Sequence, residues 1–255
     1  MVITTTATHG ASSATPVTDT AEASTADTGW RAATVVSIKP ENPTAKTFRL
    51  RLPQPSNHLA GQHAVLRLTA PDGYTAVRSY SIASPPDGSN EIELTIELLV
   101  GGEVSEFLHS EVVVGDVLEV RGPIGGWFVW KGDQPAVLIG GGSGIVPFMA
   151  MLRLGRKIGS ADLLRILVSV RKPDDLYYPD ELPGPQTTVI YTSEAPAESS
   201  RPTGLINADD IPTLPEGGLV YICGSERFAE AAADLVIGSG IDAGLLRIEK
   251  FGPSG

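Results

Sequence analysis

The hydrophobic period of this chain changes once, near Trp130-Lys131-Gly132-Asp133, and that change limits the folds open to it. Before it, Glu91-Ile92-Glu93-Leu94-Thr95-Ile96-Glu97-Leu98 alternates polar and apolar residues without a break. Successive side chains of a strand point to opposite faces, so this alternation predicts a half-buried strand. Thr47-Phe48-Arg49-Leu50-Arg51-Leu52 alternates likewise, and Ala33–Ile38, Ala64–Leu68, Ala76–Ala83 and Val117–Val120 read as further strands. Pro40-Glu41-Asn42-Pro43, Pro71-Asp72-Gly73, Pro86-Asp87-Gly88 and Gly115-Asp116 supply turns between them. About six short strands at this spacing predict a small antiparallel barrel, over residues 30–131.

Beyond the change, Ala136–Ile139, Leu164–Val170, Thr188–Tyr191 and Leu219–Ile222 are apolar runs of the kind that forms buried parallel strands. Helix signals lie between them. Pro147 suits a first helical turn, where its missing N–H costs nothing, and Phe148, Met151 and Leu152 then share a face. Ser225 to Ile237 gathers Phe228, Ala232, Leu235 and Val236 in the same way. Strand–helix alternation predicts a doubly wound parallel α/β domain, over residues 132–255. Residues 1–29 hold many Thr, Ala and Ser and few large apolar side chains, so a disordered tail is expected there.

With 42% hydrophobic residues, the chain can fill one or two cores. A formal charge of −11 argues against nucleic acid or an anionic membrane as the main partner. Cys223 is the only cysteine, which excludes an intramolecular disulfide and an all-cysteine iron–sulfur or zinc site. No apolar run reaches the ~18 residues of a membrane span. The start reads as neither signal nor transit peptide, so the cytoplasm is the expected location. His9, His58, His63 and His109 have no metal-ligand spacing, and no metal is expected. No Gly-x-Ser-x-Gly nucleophile elbow is present.

Some segments carry possible chemistry. Arg78-Ser79-Tyr80-Ser81 places a guanidinium fork, an aromatic ring and two hydroxyls along one extended stretch. That suits an aromatic cofactor with a phosphate tail, and equally a strand with polar side chains turned outward. Gly140-Gly141-Gly142-Ser143-Gly144-Ile145-Val146-Pro147 follows a buried strand and opens a helix. Such a loop lets backbone N–H groups approach a pyrophosphate. It is neither Gly-x-Gly-x-x-Gly nor a P-loop, and a plain tight turn is the other reading. Gly101-Gly102-Glu103-Val104-Ser105 ends the alternating strand, with Ser105 as a helix N-cap over a phosphate or within a capped hairpin turn. Cys223 closes the last buried strand in Tyr221-Ile222-Cys223-Gly224-Ser225, where doubly wound folds bind ligands. No histidine is placed to activate it, so it reads as a polarizable neighbour of a ligand rather than a nucleophile.

In their order along residues 30–255, these pieces resemble the ferredoxin–NADP⁺ reductase superfamily. Arg78-Ser79-Tyr80-Ser81 resembles its flavin motif, and Gly102-Glu103-Val104-Ser105 its Gly-x-x-Ser phosphate motif. Gly122-Pro123-Ile124-Gly125 is similar to the turn between its domains, and Gly140 to Pro147 to its pyridine-nucleotide loop. Tyr221 to Ser225 resembles its Cys-Gly segment, and Ile248-Glu249-Lys250-Phe251 its closing Glu-x-aromatic.

The resemblance implies FAD as cofactor and NAD(P)H as hydride donor. It implies that Arg78, Ser79, Tyr80, Ser81, Gly102, Val104, Ser105 and Phe251 contact FAD, with Ser81 near the flavin N5. It implies that Gly141, Gly142, Ser143, Gly144, Pro147, Cys223 and Gly224 contact the pyridine nucleotide, and that Ser81, Cys223 and Glu249 line the hydride-transfer pocket. Catalysis there is chiefly the positioning of two rings. The implied activity is a reductase feeding a separate ferredoxin or oxygenase component, because one cysteine cannot ligate a fused [2Fe–2S] cluster. Reduction of small acceptors such as ferric complexes, quinones or free flavin is an alternative, and a flavin-binding regulatory subunit is another. A monomer is expected.

The chain departs from its relatives at the adenosine end. Several NADP-preferring members carry Ser/Thr-Arg-Glu after the third parallel strand, whereas this chain reads Tyr191-Thr192-Ser193-Glu194. Ser193 stands in that segment. Arg201, on a flexible loop beyond it, is the candidate for a 2′-phosphate, and Arg171 for the pyrophosphate. The choice between NADH and NADPH stays open. Phe251 is followed by Gly252-Pro253-Ser254-Gly255, a tail expected to alter access to the nicotinamide pocket.

Overall fold

The computed structural model describes residues 29–251. The disordered tail expected over residues 1–29 lies, but for Gly29, outside the described residues, as does the tail Gly252–Gly255. A six-stranded antiparallel sheet comes first. Its strands are β1 (Trp30–Asn42), β2 (Ala45–Arg51), β3 (His63–Thr69), β4 (Thr75–Ser81), β5 (Glu91–Glu97) and β6 (Val117–Ile124). They run in the order β4-β3-β6-β1-β2-β5. An antiparallel bridge from Ile82 to Leu94 brings the two edges together and closes a barrel. The alternation of β5 works as expected: Ile92, Leu94 and Ile96 enter the barrel core with Phe48, Leu50, Val35 and Leu66.

One turn falls elsewhere than expected. Strand β1 runs on through Pro40, pairing Pro40 with Lys46 and Asn42 with Ala45 across an irregularity in the register. Its pairing with β6 stops at Thr34, so this stretch of β1 lies on a sheet edge. Proline is tolerated there because no ladder partner needs its N–H.

Helix α1 (Glu103–Ser110) follows β5. The second half is a parallel sheet of β7 (Ala136–Gly141), β8 (Leu164–Val170), β9 (Thr187–Tyr191), β10 (Leu219–Ser225) and β11 (Leu246–Phe251). Their order is β11-β10-β7-β8-β9, so the chain winds one way from β7 and then the other. Helix α3 (Glu226–Gly238) covers one face, where Val137, Ile139, Val220 and Ile222 meet Ala229, Ala232 and Val236. Helix α2 (Val146–Ile158) lies on the opposite face. Met149 and Ala150 are as buried as Phe148, Met151 and Leu152, because barrel residues and the sheet enclose α2 together.

The two halves share one apolar cluster. Phe128, just past the barrel, packs edge-on to Tyr221 of β10 and stacks near Phe148 of α2. Trp130 is buried, and its indole N–H donates to the Gln134 carbonyl at 2.8 Å. Polar contacts reinforce the seam. Arg153 of α2 binds Glu93 at 2.7 Å, Glu181 at 2.6 Å and the Ala83 carbonyl at 3.0 Å. Among the described residues no helix is long and apolar enough to cross a membrane.

Candidate active site

On the barrel side, alternation along β4 sorts the Arg78-Ser79-Tyr80-Ser81 segment onto two faces. Arg78 and Tyr80 pair across to Leu66 and Ala64, while Ser79 and Ser81 pair to Val65 and His63. Tyr80 rests on the barrel core, and burial lifts its hydroxyl to a pKa of about 12 against the opposing pull of Arg78. Ser81 is buried at the strand end. His63, directly across from it, is held toward its neutral form by burial. Single-sequence reading found no role for His63, because only the β3–β4 register brings it beside Ser81.

Helix α1 packs against β4, and the Tyr74 hydroxyl donates to Glu103 at 3.1 Å. The N-cap of α1 is Gly102, not Ser105. Ser105 lies inside the first turn with its hydroxyl turned inward. It accepts the Leu99 N–H at 3.1 Å and donates to the Gly102 carbonyl at 3.0 Å. A Cβ on Gly102 would fall 2.7 Å from that hydroxyl, which is why glycine sits there. Val104 is buried in the barrel core, so it offers an approaching anion only its backbone. What this motif presents outward is the set of first-turn N–H groups, which no helix bonds internally.

On the α/β side, the site falls at the topological switch between β7 and β10, where strand order reverses and such sheets bind ligands. Gly142 to Ile145 form a single tight turn before α2, which carries Pro147 in its first turn. The glycines have different tasks. A Cβ on Gly144 would lie 2.0 Å from the Cys223 carbonyl oxygen, and one on Gly141 would enter the Phe228 ring. Gly142 has φ +55° and open space where a side chain would project. The loop is therefore both a close-packed turn and an exposed backbone cradle, with Ser143 between the two.

Cys223 is fully buried on β10, in register with Gly140 on one side and Glu249 on the other. Burial, aided by the Glu249 charge, pushes its thiol well up, so it is a neutral S–H group. Burial also lifts the Glu249 carboxyl to a pKa of about 7. The next pairs along are Gly224 with Lys250 and Ser225 with Phe251, and Phe251 packs on the cluster that joins the domains. Strand β11, which carries Glu249 and Phe251, was not foreseen as a strand. Its Leu246-Arg247-Ile248-Glu249-Lys250-Phe251 stretch is neither an apolar run nor a long alternation.

The residues proposed for the adenosine end lie at the ends of β8 and β9. Arg171 is exposed and pairs with Asp175 at 3.0 Å. The Ser193 and Glu194 N–H groups both donate to its carbonyl, at 2.9 and 3.0 Å. Arg201 does not sit on a free arm. Its Nε and Nη2 donate to the two carboxylate oxygens of Asp210, each at 2.7 Å, and Nη1 donates to the Pro202 carbonyl at 2.8 Å.

These features fit a flavin dinucleotide on the barrel and a pyridine nucleotide on the sheet. A guanidinium and a helix N-terminus flank β4, and Gly101 (φ +76°) and Gly142 leave open space above both loops. Residues 32–129 match the oxidoreductase FAD-binding domain family, and residues 138–234 the oxidoreductase NAD-binding domain family. With these two domains the chain belongs to the FAD- and NAD-binding oxidoreductases.

Its relatives narrow the comparison. The chain is 29% identical over 233 residues to the ferredoxin–NAD(P)⁺ reductase component of the naphthalene 1,2-dioxygenase/salicylate 5-hydroxylase systems of Ralstonia sp., covering 87% of this chain and 69% of that protein. It is 30% identical over 204 residues to the toluate 1,2-dioxygenase electron transfer component of Pseudomonas putida, covering 77% of this chain and 59% of the relative. Among solved structures, the FAD/NAD-binding domain of nitric oxide dioxygenase from Vibrio cholerae O1 biovar El Tor has a TM-score of 0.78 at 23% identity, over 88% of this chain and 99% of that one. A ferredoxin NADP⁺ reductase from Neisseria gonorrhoeae with bound FAD and NADP has a TM-score of 0.73 at 19% identity, over 87% and 98% of the two chains.

Proposed function

We propose that this protein is a flavoprotein reductase that takes hydride from NAD(P)H onto FAD and passes electrons to a separate ferredoxin or oxygenase component. Two candidate half-sites on one chain support it. The β4 segment Arg78–Ser81 with the α1 N-terminus makes one, and Gly140–Gly144 with Cys223 and Glu249 makes the other. Bound FAD supplies a two-electron acceptor that can release electrons singly.

The chain's own residues bind and orient. Arg78 neutralises flavin phosphate, and the Glu103, Val104 and Ser105 N–H groups receive the pyrophosphate at the α1 N-terminus. Tyr80 supplies a flat, half-buried wall, and Ser81 a hydroxyl at the strand end. On the other side, the Gly142 backbone receives nucleotide phosphate, and Cys223 and Glu249 form the floor on which the nicotinamide is set. Phe251 would cover the second flavin face and keep water from it. Electron-transfer roles named for the Ralstonia and Pseudomonas relatives support the choice of a protein acceptor. A monomer in the cytoplasm is part of the same reading.

Anaerobic addition of NADH or NADPH to the yellow holoprotein tests it. Bleaching of the flavin band, followed by reduction of an added [2Fe–2S] ferredoxin, is the expected result. A band that stays yellow with both nucleotides refutes the reductase reading. Rapid reduction of quinones and dyes without any ferredoxin reduction replaces the protein acceptor with a small molecule.

A further inference from the structure

At the ends of β8 and β9, cations and carboxylates are already matched. Arg171 pairs with Asp175 at 3.0 Å, Lys172 with Asp174 at 3.6 Å and Arg201 with Asp210 at 2.7 Å. Glu194 is exposed beside Arg171, held there by its N–H bond to the Arg171 carbonyl. Glu198 is close enough to Tyr191 at the β9 end for its charge to help raise that phenol. The rim of this subsite is therefore rich in carboxylates.

Arg201 is the most firmly committed of the cations. Besides Asp210 and the Pro202 carbonyl, its guanidinium donates to the Leu205 carbonyl at 2.8 Å. Asp210 in turn accepts the Asn207 N–H at 2.9 Å, within a capping box on the short turn Ala208–Asp210. The Gly204 N–H donates to the Tyr191 carbonyl at 3.0 Å, which fastens the loop to β9. Ile206 and Ile211 anchor it in the core beneath α3. Withdrawing Arg201 toward a ligand would dismantle the loop and strand a carboxylate that is only 11% exposed.

We infer that this protein selects NADH over NADPH, because Asp210 holds Arg201 in a structural clamp and leaves carboxylates where a 2′-phosphate would lie. The inference rests on the reductase reading and names its donor. A 2′-phosphate brings up to about two negative charges and needs charge-assisted donors. A free ribose 2′-hydroxyl needs only an acceptor, and an exposed acidic side chain such as Glu194 is the usual one.

Titration calorimetry of the holoprotein with NAD⁺ and NADP⁺ tests this without turnover. NADP⁺ is expected to bind at least about tenfold more weakly, the loss of one charge-assisted contact. Equal or tighter NADP⁺ binding overturns the inference, even if both reduced nucleotides bleach the flavin. Preferential NAD⁺ binding supports it, even if neither does. Ser193→Arg places an uncommitted guanidinium on the exposed end of β9. It should narrow the NAD⁺/NADP⁺ difference about tenfold, and an unchanged ratio overturns the placement of the subsite.

Discussion

The Tyr178 hydroxyl donates to Thr95 Oγ1 at 2.5 Å, joining the α/β domain to the middle of barrel strand β5. Tyr178 is fully buried and has φ +51°, a conformation that bulky residues seldom adopt. Thr95 lies 2.6 Å from Thr47, and Thr47 donates to Glu41 at 2.8 Å. Thr95 and Thr47 thus each accept from one neighbour and donate to the next, in a chain that starts at Tyr178 and ends on a carboxylate.

Tyr178→Phe removes the first donor of that chain and takes from the buried Thr95 oxygen the hydrogen bond it accepts. A loss of about 1–3 kcal/mol is expected, read as a lower urea midpoint with unchanged slope. An unchanged midpoint would mean the contact contributes nothing to stability.

Arg153→Met leaves Glu93 and Glu181 without their shared cation, although Arg49 still reaches Glu93 at 2.6 Å. The side chain is only 15% exposed, so a loss of about 3 kcal/mol is expected. Thermal unfolding of both proteins checks it, and adding Glu181→Gln should recover part of the loss.

Glu249 gives a pH signature. Its folded pKa is raised to about 7, above the 4.5 of an ordinary glutamate. The folded protein therefore holds this proton more tightly than the unfolded chain does. The stability it contributes is fully present below the unfolded pKa and is lost as pH rises through the folded one. Glu249→Gln should flatten the decline in melting temperature between those two values. It should also remove a step near neutral pH in the rate of flavin reduction. A variant with the wild-type pH profile would assign the titration elsewhere.

Arg78→Ala should weaken FAD binding by about tenfold or more, measured as flavin retained after gel filtration or as a dissociation constant of the apoprotein. A variant that stays fully loaded would remove Arg78 from the phosphate site.

Cys223→Ala should leave flavin content intact and slow single-turnover reduction by roughly tenfold, through a displaced nicotinamide. An unchanged rate would leave Cys223 as packing alone.

Sequence pattern disclosed those parts whose signal is local. Leu164–Val170 occupies the stretch its apolar run marks, and α3 follows its Ser225 cap. The closing β4 to β5 bridge, the cross-strand partner of Ser81 and strand β11 depend on pairing between distant segments, which leaves no local trace. Ser105 shows the limit of cap rules: a serine near a helix start can turn inward from the first turn and leave the cap to glycine. Arg201 shows the limit of residue type, since a guanidinium reads as a phosphate partner until Asp210 is seen beside it.

The seam has a consequence for recombining these domains. Ala83 and Glu93 on one side meet Arg153 on the other, Thr95 meets Tyr178, and Glu181 braces Arg153 from within its own half. A chimera that joined this barrel to a foreign nucleotide domain would keep both half-sites yet lose the angle between them. Grafting those three partners along with the new domain is what would restore the crevice.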